Sequence, residues 1–354
     1  MLNRQPNPPP PTDEPTSVAV LGSGQMGLVC AGVLAGPPDA PFAGRRVVLW
    51  SHSADEAGHL IQTRRSDRLP GFTLPTGVEV TPDLPTALRG STVVVSAVPV
   101  QFARDVWRRA RGRIEPGAGV VSVAKGIETS TLMRVSEVIA DALEEEPGRP
   151  IGCLSGPTIA AELAKCLPAA MIAACPDEGF ALRIQRLFGT SWLRVYTNSD
   201  LVGVEVAGAV KNVIAIAAGI VDGLNAGNNA KSALLARGLA EITRLGVALG
   251  ARTGTFFGVA GVGDLATTCF SPEGRNRSCG EAIGRGVRLQ DHLTATPHVV
   301  EGVATCKAVL ALASRVGVEM PITAAVHAVL FEGLDPIDAV ARLMARDLKP
   351  EFVG

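Results

Sequence analysis

Ser17-Val18-Ala19-Val20-Leu21-Gly22-Ser23-Gly24-Gln25-Met26-Gly27 is the stretch that decides the fold. Ser17–Leu21 is a short apolar, β-branched run that reads as a strand, and a small-residue helix follows at Leu28–Ala35. Between them lies Gly22-x-Gly24-x-x-Gly27, the spacing of the dinucleotide fingerprint. In that motif the first glycine makes the tight turn, the second lets the backbone approach a pyrophosphate, and the third packs helix against strand. The pyrophosphate then sits on the helix N-terminus, where unpaired N–H groups and the dipole favour an anion. The spacing alone is a weak signal; the flanking strand and helix strengthen it.

Working outward, Arg46–Trp50 reads as a second buried strand. Val78–Thr81, Thr92–Val98, Val120–Ala124, Ile151–Ser155, Ala169–Ala174 and Leu193–Thr197 continue the series. Helical segments such as Phe102–Arg109, Thr131–Glu144 and Glu178–Phe188 separate most of them. Continuous apolar strands alternating with helices predict a mostly parallel sheet covered on both faces. From Leu201 the pattern changes. Leu201–Ala218, Ala230–Leu249, Gly280–Arg285, Val303–Val316, Ala324–Phe331 and Pro336–Ala345 all read as helices, with no strand-like alternation left. The expectation is a proline-rich, polar and disordered tail over 1–16, an α/β Rossmann-type dinucleotide-binding domain over 17–200, and an all-α substrate and catalytic domain over 201–354.

Composition narrows the function. Hydrophobic residues at 47% and charged ones at 19% of 354 give enough apolar surface for a large core. Lys+Arg 33 against Asp+Glu 34 leaves a net charge of −1, which argues against nucleic acid or a polybasic membrane surface as partner. A 4% aromatic fraction with one tyrosine, Tyr196, argues against base-stacking platforms. Nor does Tyr196 have a lysine four residues on, which excludes Tyr-x-x-x-Lys reductases. The seven cysteines, odd in number and never in a C-x-x-C pair, read as buried thiols in a reducing cytoplasm rather than a disulfide framework or zinc site. His52, His59, His292, His298 and His327 lack metal-ligand spacing, so no metal is expected. No apolar signal segment opens the chain, and Val204–Val221, interrupted by Glu205, Lys211 and Asn212, reads as too short and too polar to span a bilayer.

That apolar run carries the second anchor. Lys211 has Ala207, Gly208, Ile214 and Ala215 three and four residues away, so no carboxylate pairs with it in its own helix. Burying such a lysine is costly unless something outside the helix uses it, and desolvation lowers its pKa toward that of a proton donor and acceptor. Snorkelling to water is the bland alternative. Lys125-Gly126 and Ser155-Gly156-Pro157-Thr158 both follow strands, at the carboxyl edge where open α/β sheets bind ligands; each alone is compatible with an ordinary turn. Gly258–Asp264 is a glycine-rich approach to one acid, and Pro272-Glu273-Gly274-Arg275-Asn276-Arg277 reads as a flexible loop whose arginine forks and amide suit a phosphate dianion. A solvated charge pair is the competing reading of Arg275 and Arg277. At the end of the second strand, Trp50-Ser51-His52-Ser53 lacks the acid that selects NAD, and the nearest acid is Asp55. His52 with Arg45, Arg46, Arg64 or Arg65 can accept a 2′-phosphate, which leans toward NADP or dual use; solvation of a surface loop is the competing reading.

Taken in order, these segments closely resemble the bacterial NAD(P)-dependent sn-glycerol-3-phosphate dehydrogenase family. The matching stretches are Val20-Leu21-Gly22-Ser23-Gly24, Ala124-Lys125-Gly126, Ser155-Gly156-Pro157-Thr158 and Gly208-Ala209-Val210-Lys211-Asn212-Val213-Ile214-Ala215. Gly263-Asp264-Leu265, Gly274-Arg275-Asn276-Arg277, Val300-Glu301-Gly302 and Glu319-Met320-Pro321-Ile322-Thr323 extend the match to about Leu343. The resemblance implies a helical domain of the 6-phosphogluconate-dehydrogenase-like kind and a homodimer. It implies reduction of dihydroxyacetone phosphate to sn-glycerol 3-phosphate, supplying glycerophospholipid synthesis.

By the same resemblance Lys211 is the general acid/base, with Lys125 and Asp264 beside it. Lys125, Gly156, Thr158, Lys211, Asn212, Asp264, Gly274, Arg275 and Asn276 are substrate positions. Gly22, Gly24, Gln25, Met26, Gly27, His52, Lys125, Ala160, Arg275, Val299 and Glu301 are cofactor positions for NADP or NAD. Two departures stand out: Gly274 replaces a frequent serine, and Gly36–Gly44 lengthens the connection before the second strand. The competing readings are a β-hydroxyacid or ketopantoate-type dehydrogenase of the same plan, which lacks the Arg275-Asn276 pair, and a non-catalytic nucleotide sensor.

Overall fold

A computed structural model of the chain describes residues 17–36, 45–144, 148–296, 299–348 and 350. The expected tail, nearly all of the Gly36–Gly44 connection and His298 lie outside the described residues. The sheet comprises β1 (Ser17–Leu21), β2 (Arg46–Trp50), β3 (Val78–Thr81), β4 (Val93–Ser96), β5 (Gly119–Ser122), β6 (Ile151–Ser155), β7 (Ala169–Ala174) and β8 (Leu193–Asn198). Their order is β3-β2-β1-β4-β5-β6-β7-β8, parallel throughout except for the antiparallel β6–β7 pair. Both faces are covered, which is why β1, β4 and β5 are buried along their whole length. Val18 and Val20 of β1 pack into one apolar layer while Ala19 and Leu21 pack into the other.

Helices α1 (Gln25–Ala35), α2 (Ala54–Thr63), α3 (Leu84–Leu88), α4 (Val100–Ala110), α5 (Val135–Leu143), α6 (Ala160–Leu163) and α7 (Glu178–Phe188) accompany the sheet. Every later element is helical: α8 (Leu201–Gly223), α9 (Gly227–Ala248), α10 (Thr253–Phe256), α11 (Asp264–Phe270), α12 (Arg275–Gly284), α13 (Leu289–Ala295), α14 (Glu301–Arg315), α15 (Pro321–Phe331) and α16 (Pro336–Met344). This is the Rossmann-type sheet domain followed by a helical one.

Several boundaries differ from the sequence expectation. Strands β4 and β5 stop at Ser96 and Ser122, because Ala97-Val98 and Val123-Ala124 turn out of the sheet to line a cleft. Helix α5 begins at Val135 rather than Thr131: Leu132 holds a φ of +60° and Arg134 pairs back to Ile127, closing a small hairpin first. Arg275-Asn276-Arg277 is the first turn of α12, not a flexible loop. Helices α10, α11 and α13 escaped a reading based on apolar periodicity, because all are short and α11 follows a glycine-rich π-turn at Val259–Gly263.

Helix α8 is the axis of the second domain. With 23 residues and a mean hydropathy of 1.8 it does have the length and composition to cross a membrane, contrary to the expectation for Val204–Val221; what places it in the core is that its apolar window is wholly buried. Among the described residues it alone meets that test. Six of the seven expected buried thiols are buried and none is paired; Cys166 is exposed.

Candidate active site

A cleft of about 750 Å³ runs from the ends of β1 and β4, where the winding of the sheet reverses, to α8, α11, α12 and α14. Gly22 holds a φ of +111°, and a Cβ there would meet the Ala97 carbonyl oxygen at 2.8 Å, so glycine is required. Gly24 caps α1 without any side-chain hydrogen bond, and nothing lies within 4 Å of where its Cβ would be. The first-turn N–H groups of α1 are thereby left for a ligand, a cradle that fits a dinucleotide pyrophosphate. Gly27 stays out of the cleft; its Cβ would lie 1.8 Å from the Gly22 carbonyl oxygen, so it holds the helix onto the turn. Because α1 starts at Gln25, three residues before the expected start, Gln25 and Met26 lie in its first turn and line the cleft.

Opposite this turn, two lysines converge on one carboxylate. Asp264, 1% exposed, accepts from Lys211 Nζ through Oδ1 at 2.6 Å and from Lys125 Nζ through Oδ2 at 2.5 Å. Lys125 Nζ also donates to the Gly156 carbonyl at 3.1 Å, and Lys211 Nζ to Thr268 Oγ1. Lys211 therefore does not snorkel; the partner absent from its own helix comes from α11. Burial lowers its pKa to about 8; Lys125 pushes the same way and Asp264 opposes both. Two cations on one carboxylate leave a net positive charge at the wall of the cleft, which suits an anion.

Helix α12 supplies the next group. Gly274 is its cap, with no side-chain hydrogen bond, and Gly274, Arg275 and Asn276 line the cleft. Asn276 Oδ1 accepts from Gly302 N at 2.9 Å, which spends its oxygen and leaves its amide NH2 as the group to offer a ligand, while Arg275 Nη1 donates to the Val299 carbonyl at 3.1 Å. Arg277 departs from the expected phosphate loop: its Nε donates to Asp222 Oδ2 at 2.7 Å, which turns it into an ion pair away from the cleft. Asn212, Thr158, Ala160, Val299 and Glu301 all line the cleft. Gly156 contributes only its carbonyl. Burial pushes the Glu301 carboxyl up, against the pull of Arg275, Lys125 and Lys211.

At the far end of the cleft His52 is present, but Arg45, Arg46, Arg64 and Arg65 do not line it. Arg46 is spent on Glu79 at 2.8 Å and Arg64 on the Val78 carbonyl at 2.6 Å. Glu56, Arg68 and Arg109 stand there instead, with Arg68 Nε on Glu56 Oε1 at 2.8 Å. Glu56, not Asp55, is therefore the acid near the end of β2. Sequence reading also missed Thr268; its only signal is a position one helical turn after Asp264, and that helix went unread.

The profile of the NAD-dependent glycerol-3-phosphate dehydrogenase N-terminus matches residues 17–181, and that of the C-terminus matches residues 200–341. Glycerol-3-phosphate dehydrogenase (NAD(P)+) 2 of Mycobacterium tuberculosis is 47% identical over 337 residues, 95% of this chain and 98% of the relative. The chain belongs to the NAD-dependent glycerol-3-phosphate dehydrogenase family. A family member of Mycobacterium leprae is likewise 47% identical over 95% of this chain and 97% of its own. The crystal structure of glycerol-3-phosphate dehydrogenase from Coxiella burnetii superposes with a TM-score of 0.87 at 36% identity, covering 93% of this chain and 99% of that one.

Proposed function

We propose that the chain reduces dihydroxyacetone phosphate to sn-glycerol 3-phosphate reversibly, with NADH or NADPH, supplying glycerophospholipid synthesis. The observation that carries this reading is the Lys211–Asp264–Lys125 cluster set between the Gly22–Gly27 turn and the Arg275-Asn276 end of α12. Residues 17–200 form the dinucleotide-binding unit, and 201–354 the substrate and catalytic unit. Gly22, Gly24, Gln25, Met26, His52, Ala160, Val299 and Glu301 hold the cofactor, with Gly27 keeping the turn closed. Arg275 and Asn276, at the uncapped start of α12, hold the substrate phosphate.

When bound, the reduced nicotinamide supplies the hydride that ends on substrate C2. Lys211 Nζ gives its proton to the C2 oxygen as negative charge develops there, and takes it back in the oxidative direction. Lys125 places a second positive charge beside that oxygen, and Asp264 orients both amines. Asn212, Thr158 and Gly156 complete the substrate wall. Glu56 beside Arg68 offers an acceptor for ribose hydroxyls, while His52 and Arg68 offer donors for a 2′-phosphate, which supports dual use; with Glu56 in the cleft the expected lean to NADP loses its ground.

Cofactor oxidation followed at 340 nm tests the reading. Dihydroxyacetone phosphate should be turned over with both cofactors, whereas unphosphorylated dihydroxyacetone and ketopantoate should not; turnover of ketopantoate would transfer the chain to the competing dehydrogenase class. A cytoplasmic compartment is supported by seven unpaired thiols. A homodimer rests on the family resemblance alone, and light scattering of the purified chain tests it.

A further inference from the structure

Glu205 stands on α8 six residues before Lys211, and its side chain is 4% exposed. A buried carboxylate is costly unless it is fully partnered. All its partners lie in the other domain. Oε1 accepts from the Ser136 backbone N–H at 2.8 Å; Oε2 accepts from Ser136 Oγ at 2.6 Å and from Arg134 Nη1 at 2.5 Å. Ser136 N–H belongs to the first turn of α5, so α8 caps a helix of the sheet domain from outside it. Burial pushes the Glu205 carboxyl up, and the Arg134 guanidinium and Ser136 donors oppose it.

Arg134 also pairs through its backbone with Ile127, and only Gly126 separates Ile127 from Lys125. That segment is stiff within its own domain. Gln101 Nε2 donates to the Ile127 carbonyl at 2.8 Å, and Arg104 grips Glu128 at 2.8 Å. Gly126, at a φ of +144°, lies so close to Val100 that a Cβ would meet it at 2.8 Å. A continuous set of contacts therefore leads from the α8 main chain to Lys125.

We propose that Glu205 is a positioning residue that sets α8, and with it Lys211, relative to Lys125 across the domain boundary. Asp264 cannot do this alone. It sits on α11 and holds the two Nζ atoms, the tips of flexible four-carbon stems; the apolar contact of Ile127 with α8 is non-directional and fixes the height of the helix less firmly than a hydrogen-bonded carboxylate. Glu205 is shorter and grips a backbone N–H. The inference rests on Lys211 being the proton donor.

The test is Glu205→Gln, read by steady-state kinetics with dihydroxyacetone phosphate and by fluorescence titration of NADPH. Displacing reacting groups by about 1 Å costs on the order of 10²-fold. We expect kcat to fall roughly 10- to 100-fold while KM and NADPH affinity stay within about 3-fold. The alkaline limb of kcat should also move up from about 8, because Lys125 is held less firmly beside Lys211. The other groups facing Lys211 are Asp264, Thr268 and Cys269 on α11 and Glu301 on α14, and the substitution alters none of them. Arg134→Met should reproduce the loss, and the double variant should add little to it.

An unchanged kcat and limb would overturn the proposal. So would a parallel fall of kcat, NADPH affinity and melting temperature, which marks a purely structural role. Lys211→Met, run alongside, separates the two readings. If it keeps turnover, the proton-donor assignment fails whatever Glu205 does.

Discussion

Helix α8 meets its two partners in opposite ways. Its N-terminal half packs Val204 on the sheet and adds charged side chains there, Glu205 on Arg134 and Ser136, and Lys211 sharing Asp264 of α11 with Lys125. Its C-terminal half meets α12 almost backbone to backbone. A Cβ on Gly219 would lie 1.9 Å from the Arg277 carbonyl oxygen, and one on Gly280 would lie 2.0 Å from that of Ile216. Gly223 and Gly284, each one turn further on, repeat the contact at 2.4 and 2.5 Å. A glycine in a helix interior costs roughly 1 kcal/mol relative to alanine, so Gly219 and Gly280 mark a close approach that side chains would prevent, and Gly223 and Gly284 continue it to the helix ends. The charged contact can be tuned by protonation and shifts with its partners. The glycine contact is stiff, and it holds the Arg275-Asn276 end of α12 at one height over Lys211 and Asn212.

The largest break in that comparison is Lys211→Met. It removes the proposed proton donor but leaves Asp264 paired with Lys125, so the fold should stand. General acid–base catalysis contributes about 10²- to 10⁴-fold, and reduction of dihydroxyacetone phosphate should fall by that amount while NADPH affinity holds within about 2-fold. Cofactor oxidation and fluorescence titration measure the two quantities side by side. Undiminished turnover would end the assignment of Lys211.

Gly280→Ala attacks the other half of α8. Its methyl would meet the Ile216 carbonyl oxygen, and overpacking of this kind costs about 1–3 kcal/mol. Relief requires α12 to move away, which carries Arg275 and Asn276 off the proposed phosphate position. The expected signature is the converse of the Glu205 variant: KM for dihydroxyacetone phosphate rises roughly 5- to 100-fold, and kcat at saturation changes little. A fall in kcat with KM unchanged would show that α12 does not set substrate affinity.

The residues around α8 were also unequally legible in the sequence. The fingerprint between strand and helix, and a lysine with no partner in an apolar helix, point from the sequence alone to the proposed cofactor turn and proton donor. Local periodicity suffices for both. Glu205 in the same helix looked like an interruption of an apolar run, because its partners Arg134 and Ser136 lie 71 and 69 residues away. Arg277 looked like a phosphate ligand until Asp222, 55 residues off, turned it away from the cleft. Thr268 lay on a helix concealed behind the glycine-rich π-turn at Val259–Gly263. Residues that a fold brings together from distant segments leave no pattern in the segments themselves.

The smallest effect is the most direct comparison of the two contacts, because only one of them titrates. Lys211 is lowered from 10.5 to about 8, chiefly by burial, with Lys125 adding to it and Asp264 opposing. Reduction needs the protonated amine, so its rate should be level at low pH and fall as pH rises through about 8. From pH 7 to pH 8 the loss is about 2-fold, and each further unit approaches 10-fold. Oxidation of sn-glycerol 3-phosphate needs the neutral amine and should rise over the same range. Melting temperature read at each pH separates this from unfolding, because the buried thiols Cys30, Cys269 and Cys306, pushed up to about 12, lose stability above about 9. A lysine whose folded pKa is lowered binds fewer protons folded than unfolded between about 8 and 10.5, so its contribution to stability rises with pH across that window. Gly280→Ala should leave the limb where it is, because nothing in the glycine contact carries a proton, whereas Glu205→Gln should move it. A limb that shifts in both variants would mean that α12, too, sets the field at Lys211, and the division of α8 into a tunable and a stiff half would have to be abandoned.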